Sequence, residues 1–177
     1  MSAESQAHAT ALRERREAVV REHMESENVH DFDTTIATFD HPRYEIIATG
    51  DVYDGEAEVR RYFAETRTAF PDQRNELLAL HHADDAVIAE FDLLGTHLGP
   101  LRSLPPTGRA FRCRMTAFFI FAGERIVCER VYFDQLSLLR QLGLAHDPTS
   151  PAGRASMLIS HPLTIGRALI ASRGRRG

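Results

Sequence analysis

The sequence predicts an α+β fold, because helical patterns fill its first half and strand patterns fill most of the rest. Two pairs of strand-like segments flank the turn signals "ADD" and "AGE", as the strands of antiparallel hairpins do. The strands and helices do not alternate in the regular way that a parallel sheet requires. With 177 residues, of which 43% are hydrophobic, the chain can form one domain with a buried core.

The first half of the chain contains three predicted helices. Residues Ala7 to Glu27 are rich in Ala, Arg and Glu and repeat apolar residues at helical spacing. A short second helix is predicted over Asp31 to Phe39. Tyr44 to Ala48 is strand-like, and Gly50 to Gly55 carries turn residues. The third helix follows in "DGEAEVRRYFAETRTAF", with Asp54 as its predicted N-cap.

The second half contains the two predicted hairpins and a final helix. The first pairs "QRNELLALHH" with "AVIAEFDLLGTH", and the second pairs "FRCRMTAFFIF" with "RIVCERVYFD". A helix over Gln135 to Gln141 follows, and Gly143 ends it. We therefore expect a domain over residues 1–144. Residues 145–177 form an extension that is partly helical at "HPLTIGRALIAS" and frayed at its basic end, "RGRRG".

A turn centred on Gly123 and Glu124 sets the predicted register of the second hairpin, because side chains alternate between the two sheet faces. The face predicted to point inward carries Cys113, Met115, Ala117, Phe119 and Phe121, with Ile126, Cys128, Arg130, Tyr132 and Asp134. The other face carries Arg112, Arg114, Thr116, Phe118 and Ile120, with Val127, Glu129, Val131 and Phe133. Both faces are substantially apolar, so the outer one needs a partner. We expect a homodimer through Phe118, Ile120, Val131 and Phe133.

Composition excludes several classes of protein. The chain has no lysine, which excludes a Schiff-base enzyme and a Walker-type phosphate loop. The net charge of -4 is the wrong sign for nucleic-acid binding. No apolar run is long enough for a membrane span, and the N-terminus lacks a signal peptide's apolar core. We therefore expect a cytoplasmic protein, in which Cys113 and Cys128, placed far apart along the hairpin, stay reduced.

Asp134 is the leading candidate for chemistry. The predicted register turns it inward among apolar and aromatic side chains, where a desolvated carboxylate is suited to proton transfer. Aspartate is also a favoured N-cap, and a helix is predicted to begin at Gln135. Both roles stay open at this point, because one carboxylate oxygen can cap the helix while the other faces a cavity.

The sequence resembles the SnoaL-like polyketide cyclases (ester cyclases) of the nuclear transport factor 2-like superfamily. The resemblance covers about Asp31 to Leu144. It rests on "DGEAEVRRYFAETRTAFPD", "GTHLG", "PPTGRAF" and "GERIVCERVYFDQLSLLRQLGL". It implies a cone-shaped, strongly bent antiparallel sheet with three helices enclosing a deep pocket, a cystatin-like α+β barrel. It also implies dimers through the outer sheet face.

The resemblance further implies a cofactor-independent cyclase or isomerase that moves protons on a hydrophobic, polyketide-like carbonyl compound. Asp134 matches the family's acid/base aspartate. His97 in "GTHLG" is a second catalytic candidate because it ends an apolar strand, where it can orient a substrate carbonyl; the alternative is a rim histidine whose hydrogen bonds are satisfied within the protein. The family's histidine on the preceding strand is replaced here by residues of the segment Phe118 to Ile120. The predicted substrate-binding residues are Tyr132, Arg130, Met115, Phe119, Tyr44 and Tyr62. No metal site is predicted, because the cysteines and histidines lack zinc-site spacing.

Two other functions share this fold. One is a non-catalytic protein that binds a hydrophobic small molecule in the same pocket. The other is a ketosteroid-isomerase-like isomerase, which needs a base in an apolar pocket and a hydroxyl donor for the oxyanion. Replacing Asp134 by Asn separates binding from chemistry, because a binding protein would lose little.

Overall fold

The computed structural model describes residues 3–173, which form six helices and six strands. The helices are α1 Ala3–Asn28, α2 Phe32–Ala37, α3 Glu56–Ala69, α4 Gln135–Gln141, α5 Pro151–Ser160 and α6 Pro162–Arg173. The strands are β1 Arg43–Ile46, β2 Asp51–Asp54, β3 Arg74–His82, β4 Ala86–Thr96, β5 Ala110–Ala122 and β6 Arg125–Phe133. The predicted α+β order is confirmed, with most of the helical residues of the domain preceding the long hairpins.

The strands form one curled, unclosed sheet in the order β2-β1-β6-β5-β4-β3. All neighbours are antiparallel except β1 and β6, which run parallel. The predicted turn over Gly50 to Gly55 was wrong in part, because Asp51–Asp54 pairs with β1 as an edge strand. Asp54 does not cap α3. Its carboxylate instead accepts hydrogen bonds from His41 and Arg43, and Gly55 takes the N-cap position.

Helix α1 is held across the open side of the sheet by Arg16. The Arg16 guanidinium donates hydrogen bonds of 2.8 Å to the carbonyl oxygens of Gly123 and Asp84, one in each hairpin turn. The buried face of α1 then carries Val20 and Met24 into the core. His23 and Glu27, three and seven positions after Val20, lie on the same face and are also buried.

A β-bulge in β6 changes the predicted register of the second hairpin. Phe121 pairs with Ile126 as expected, but Ile120 pairs with Cys128, so Val127 is an extra residue in its strand. Since side chains alternate with a period of two, one extra residue turns every later side chain of β6 to the opposite face.

The predicted inward face is therefore right for β5 and wrong for most of β6. Glu129 and Val131 are buried, and Phe133 packs against the core. Arg130 and Tyr132 instead point outward, and Tyr132 is 41% exposed. The outer apolar patch consists of Phe118, Ile120 and Tyr132, with the aromatic rings of Phe118 and Tyr132 in edge-to-face contact at 5.6 Å.

Both cysteines, Cys113 and Cys128, are buried and unpaired with each other, as predicted. In the extension, α6 covers the predicted helical segment, and α5, which the sequence did not indicate, precedes it and packs against it. The predicted frayed end falls mainly on residues 174–177, outside the described part of the chain. Within residues 3–173, no helix is both long and apolar enough to cross a bilayer.

Candidate active site

A cavity of about 460 Å³ lies between the helices and the concave face of the sheet. Most of its wall is apolar, and it includes Phe91, Phe111 and Met115. Polar side chains cluster on one part of the wall, where Glu27, Tyr44, Glu129 and Asn75 all line the cavity and are all buried. An apolar cavity with a few converging polar groups is the usual form of a small-molecule site.

His23, which is fully buried, connects the members of this cluster. Its Nδ1 lies 2.9 Å from the Thr38 hydroxyl, which donates its own hydrogen to the Thr35 carbonyl at 2.6 Å. Nδ1 must therefore carry a hydrogen and donate it. His23 Nε2 lies 2.9 Å from the Tyr44 hydroxyl and 3.1 Å from Glu129 Oε2. The second contact is an ion pair, and Oε2 of Glu129 accepts no aligned hydrogen bond from residues 3–173.

The charge on His23 is stabilised by the two neighbouring carboxylates. Burial lowers the pKa of the imidazole, but the proximity of Glu129 and Glu27 outweighs burial and raises that pKa to about 9. At neutral pH the ring therefore carries both hydrogens and one positive charge. Glu27 Oε1 lies 3.7 Å from Nε2, one helical turn along α1.

The two carboxylates have different environments. Glu27 accepts hydrogen bonds from Asn75 Nδ2 at 2.8 Å and from the Tyr44 hydroxyl at 3.1 Å. Burial alone would raise the pKa of Glu27, but His23 and its other donors outweigh burial and lower it. Burial raises the pKa of Glu129, and His23 offsets only part of that rise. The two pKa values move in opposite directions, which identifies Glu27 as the fixed anion and Glu129 as the carboxyl that takes up a proton more readily.

Two tyrosines keep their hydroxyl hydrogens beside these carboxylates. Burial, together with the charges of Glu129 and Glu27, raises the pKa of Tyr44 and of Tyr62. Both phenols therefore remain protonated at neutral pH and can donate hydrogen bonds. Their rings lie 5.5 Å apart on adjacent walls of the cavity, Tyr44 from β1 and Tyr62 from α3.

The loop between β4 and β5 supplies another part of the cavity wall, through residues 101–104. Arg102 in this loop forms an ion pair with Asp51 of β2. Gly99 lets the loop pack against the end of α3, since a Cβ there would lie 2.0 Å from the Thr68 carbonyl oxygen. The ion pair and this close approach hold the loop over the cavity.

His23, Glu27 and Glu129 also form the group of three potential metal ligands found within residues 3–173, with donor atoms all within 4.8 Å of one another. Imidazole and carboxylate together suit several divalent transition metals. Coordination through His23 Nε2 would require loss of its proton, which the neighbouring carboxylates hold in place. The Nδ1 hydrogen bond to Thr38 would orient the ring for either role.

The family model for the SnoaL-like polyketide cyclases matches residues 16–142, most of the chain. The chain belongs to the SnoaL-like polyketide cyclase family. The matched residues include every element of the cavity described above, from α1 to α4. No curated protein shows significant sequence similarity to this SnoaL-like chain.

Solved structures confirm the nuclear transport factor 2-like fold of this SnoaL-like protein. TsrD from Streptomyces laurentii is 22% identical, with a TM-score of 0.65 over 75% of this chain and 97% of that one. IdmH, described as a putative polyketide cyclase from Streptomyces antibioticus, is 23% identical, with a TM-score of 0.63 over 72% and 98%. A Catenulispora acidiphila protein with a ketosteroid isomerase-like fold is 20% identical, with a TM-score of 0.62 over 71% and 92%.

The predicted inward orientation of Asp134 was wrong. The bulge in β6 shifts the strand, and Asp134 lies exposed at the N-terminus of α4, outside the cavity lining. Its Oδ1 accepts a hydrogen bond from the Ser137 amide at 3.1 Å, so the N-cap interpretation is confirmed. His97 is fully buried but does not line the cavity. Its Nδ1 accepts from the Thr107 amide at 3.3 Å within the β4–β5 loop.

The other predicted substrate-binding residues divide into two groups. Tyr44, Tyr62 and Met115 line the cavity. Phe119 is buried against the His23 ring, at 5.2 Å, and does not line it. Arg130 and Tyr132 are on the outer face because of the bulge, and Arg130 pairs with Glu45 at 2.6 Å instead of binding a ligand.

Sequence reasoning missed His23, Glu27 and Glu129. The first two are separated by four positions on the apolar face of α1, between residues that reach the core. Ionisable side chains on such a face are a recognisable signal, because burial requires partners for them. Glu129 has no such signal, since its orientation depends on the bulge.

Proposed function

We propose that this SnoaL-like protein is a cofactor-independent cyclase or isomerase that moves a proton at a carbon next to a carbonyl. Glu129 is the acid/base in this proposal. The observation that carries it is the position of Glu129: it is 95% buried, lines the cavity, and contacts His23 Nε2 through Oε2 at 3.1 Å, which leaves Oε1 as the oxygen available to a ligand. A base must have a free lone pair within reach of the substrate hydrogen, whereas both oxygens of Glu27 already accept hydrogen bonds, one from Tyr44 and one from Asn75.

The remaining residues of the cluster support proton transfer. The ionised form of Glu129 removes a hydrogen from the substrate carbon and becomes neutral, while negative charge develops on the carbonyl oxygen. The Tyr62 hydroxyl, which donates no hydrogen bond to any residue described in the structure, is available to that oxygen. Positively charged His23 stabilises Glu129 between turnovers. In an isomerisation the same carboxyl then returns the proton to another carbon. In a ring closure the carbanion first attacks a second carbonyl carbon of the same molecule and breaks its C=O π bond, and the carboxyl then protonates the alkoxide that forms.

The size and apolar wall of the cavity favour a substrate with one or two rings and few charges. The putative polyketide cyclase IdmH shares this fold, which supports a polyketide-like carbonyl compound as the substrate class. A ketosteroid-isomerase-like reaction uses the same groups, a carboxylate base and a tyrosine donor.

Hydrogen exchange at an activated carbon tests the proposal directly. We expect the protein to accelerate incorporation of deuterium from D₂O into 2-tetralone, with a rate that rises with pH as Glu129 ionises. Proton NMR measures the exchange against buffer containing an equal mass of albumin. We expect EDTA to leave the rate unchanged. Binding of 2-tetralone with no acceleration over albumin would identify a binding protein instead, and loss of activity with EDTA would assign the cluster to a metal.

We also propose that two copies associate through the outer sheet face, at the patch Phe118, Ile120 and Tyr132. We expect sedimentation velocity to show a dimer at micromolar concentration and Phe118→Glu to convert it to a monomer, because a buried charge opposes an apolar interface. Leu158→Glu, at a half-exposed position in α5, is the control and should leave the dimer intact. A monomeric wild-type protein at that concentration would contradict the proposal.

A further inference from the structure

Arg67 on α3 is a cavity-lining cation that lacks a counter-ion. Its guanidinium forms no ion pair with any carboxylate in residues 3–173, and its buried Nε has no hydrogen-bond partner there. The other contacts are weak: a 3.5 Å hydrogen bond from Nη1 to the Thr66 hydroxyl, and the Phe32 ring at 5.3 Å. A cation that lines a cavity without a counter-ion is costly unless a ligand balances its charge.

The other arginine that lines the cavity provides a contrast. Arg102 is paired with Asp51, so its charge is already balanced. Glu27 does not serve Arg67 in the same way, because its two oxygens are bound by Tyr44 and Asn75. The charge of Arg67 acts on Glu27 only at longer range.

One further polar group lies unpaired on the cavity wall. The Gln73 side chain is buried, yet it forms no side-chain hydrogen bond with residues 3–173. A guanidinium and an amide both carry hydrogen-bond donors, and such donors suit a ligand group rich in acceptor oxygens.

The charges of the cavity indicate the sign of that group. Arg67 and His23 each contribute one positive charge, and Glu27 contributes one negative charge. Glu27 and Glu129 both lie against His23, so the charge of Arg67 is left without a carboxylate partner within residues 3–173. An anionic oxygen group on the ligand would balance it, and a planar carboxylate fits the guanidinium fork.

We propose that Arg67 binds a carboxylate of the cavity ligand, so that the substrate is an apolar keto acid rather than a neutral ketone or ester. This inference rests on the proposed function, since it names the substrate class for the same cavity. Arg67 is a binding and specificity-determining residue and takes no part in the proton transfer itself.

Matched ligands test the proposal without requiring turnover. Isothermal titration calorimetry compares 2-naphthoate with 2-naphthamide, which has the same rings and a neutral planar group. We expect wild-type protein to bind the acid about tenfold more tightly, as one charge-assisted hydrogen-bonded pair supplies. We expect Arg67→Met to abolish this preference and Arg67→Lys to keep part of it. Arg60→Met on the same helix, where Arg60 pairs with Glu56 and Asp33 at the surface, should keep all of it.

Equal affinity of wild-type protein for the two ligands would overturn the proposal, as would a preference that survives Arg67→Met. Failure to bind 2-naphthoate at millimolar concentration would also overturn it. Circular dichroism melts establish that each variant is folded, and Arg67→Lys provides the test if Arg67→Met is not. The same titrations with Glu129→Gln, compared with the hydrogen-exchange assay, distinguish this proposal from the proposed function. If the Arg67-dependent preference is found but no hydrogen exchange is, the carboxylate-binding site stands and the proposed catalysis does not.

Discussion

The Glu129→Gln protein is expected to lose roughly 10²- to 10⁴-fold in the rate of 2-tetralone exchange, the usual contribution of a general base. Glutamine keeps the size and polarity of the side chain but cannot accept a proton at neutral pH. The fold should survive, because Glu27 still lies beside His23 and balances its charge. Exchange rates measured by proton NMR at saturating ketone provide the comparison.

Asp134→Asn is the matched control, since it makes the same chemical change five residues later. Asparagine is also a favoured N-cap, so α4 should keep its start. We expect its exchange rate to stay within about twofold of wild type, because Asp134 is outside the cavity lining. The opposite ranking, with Asp134→Asn inactive and Glu129→Gln active, would restore the acid/base role that the family resemblance implies for Asp134.

Removal of the His23 charge should have the largest effect on stability. His23→Leu leaves Glu27 and Glu129 buried close together without their cation, and breaking a buried ion pair in this way costs about 3–5 kcal/mol. We expect the free energy of unfolding in urea at pH 7 to fall by that amount, and by less at pH 5, because acid favours the neutral form of Glu129, whose pKa is raised by burial. Chemical denaturation followed by circular dichroism measures both.

The pH dependence of the free energy of unfolding of the wild-type protein follows from His23 as well. His23 has a folded-state pKa of about 9 against an ordinary value near 6.5, so folding favours its protonated form. This contribution to stability is complete below about pH 6.5 and is lost as pH rises through about 9. The raised pKa of Glu129 acts in the same direction. His23→Leu should therefore show a flatter stability profile across this window.

His41→Leu is the control for this substitution, because His41 pairs with Asp54 at the surface and its side chain is 65% exposed. Exposed ion pairs contribute little, so its stability should remain close to that of wild type at each pH. If His23→Leu changes the free energy of unfolding as little as His41→Leu does, or lowers it equally at pH 5 and pH 7, the cluster is not held together by the charge on His23.

Much of the fold could be predicted from local patterns. The long α1, the cap of α4 at Asp134 and both hairpins follow from periodicity and turn residues, which act over a few positions. The edge strand β2 was missed because its Asp and Gly neighbours resemble a turn, and only pairing with β1 makes it a strand. Three of the predicted site residues, Tyr44, Tyr62 and Met115, line the cavity.

The site chemistry depended on contacts between distant segments. Because Val127 is an extra residue in β6, Glu129 and Val131 face inward where Asp134 and Tyr132 were predicted to do so. Nothing in the local sequence marks this bulge. The sequence by itself determined the order of elements, the apolar face of α1 and the family. Only the tertiary structure brought His23, Glu27 and Glu129 from α1 and β6 into one buried cluster. The physical reason is that side chains alternate between the two faces of any strand because of local geometry, whereas pairing with the neighbouring strand decides which of them face inward.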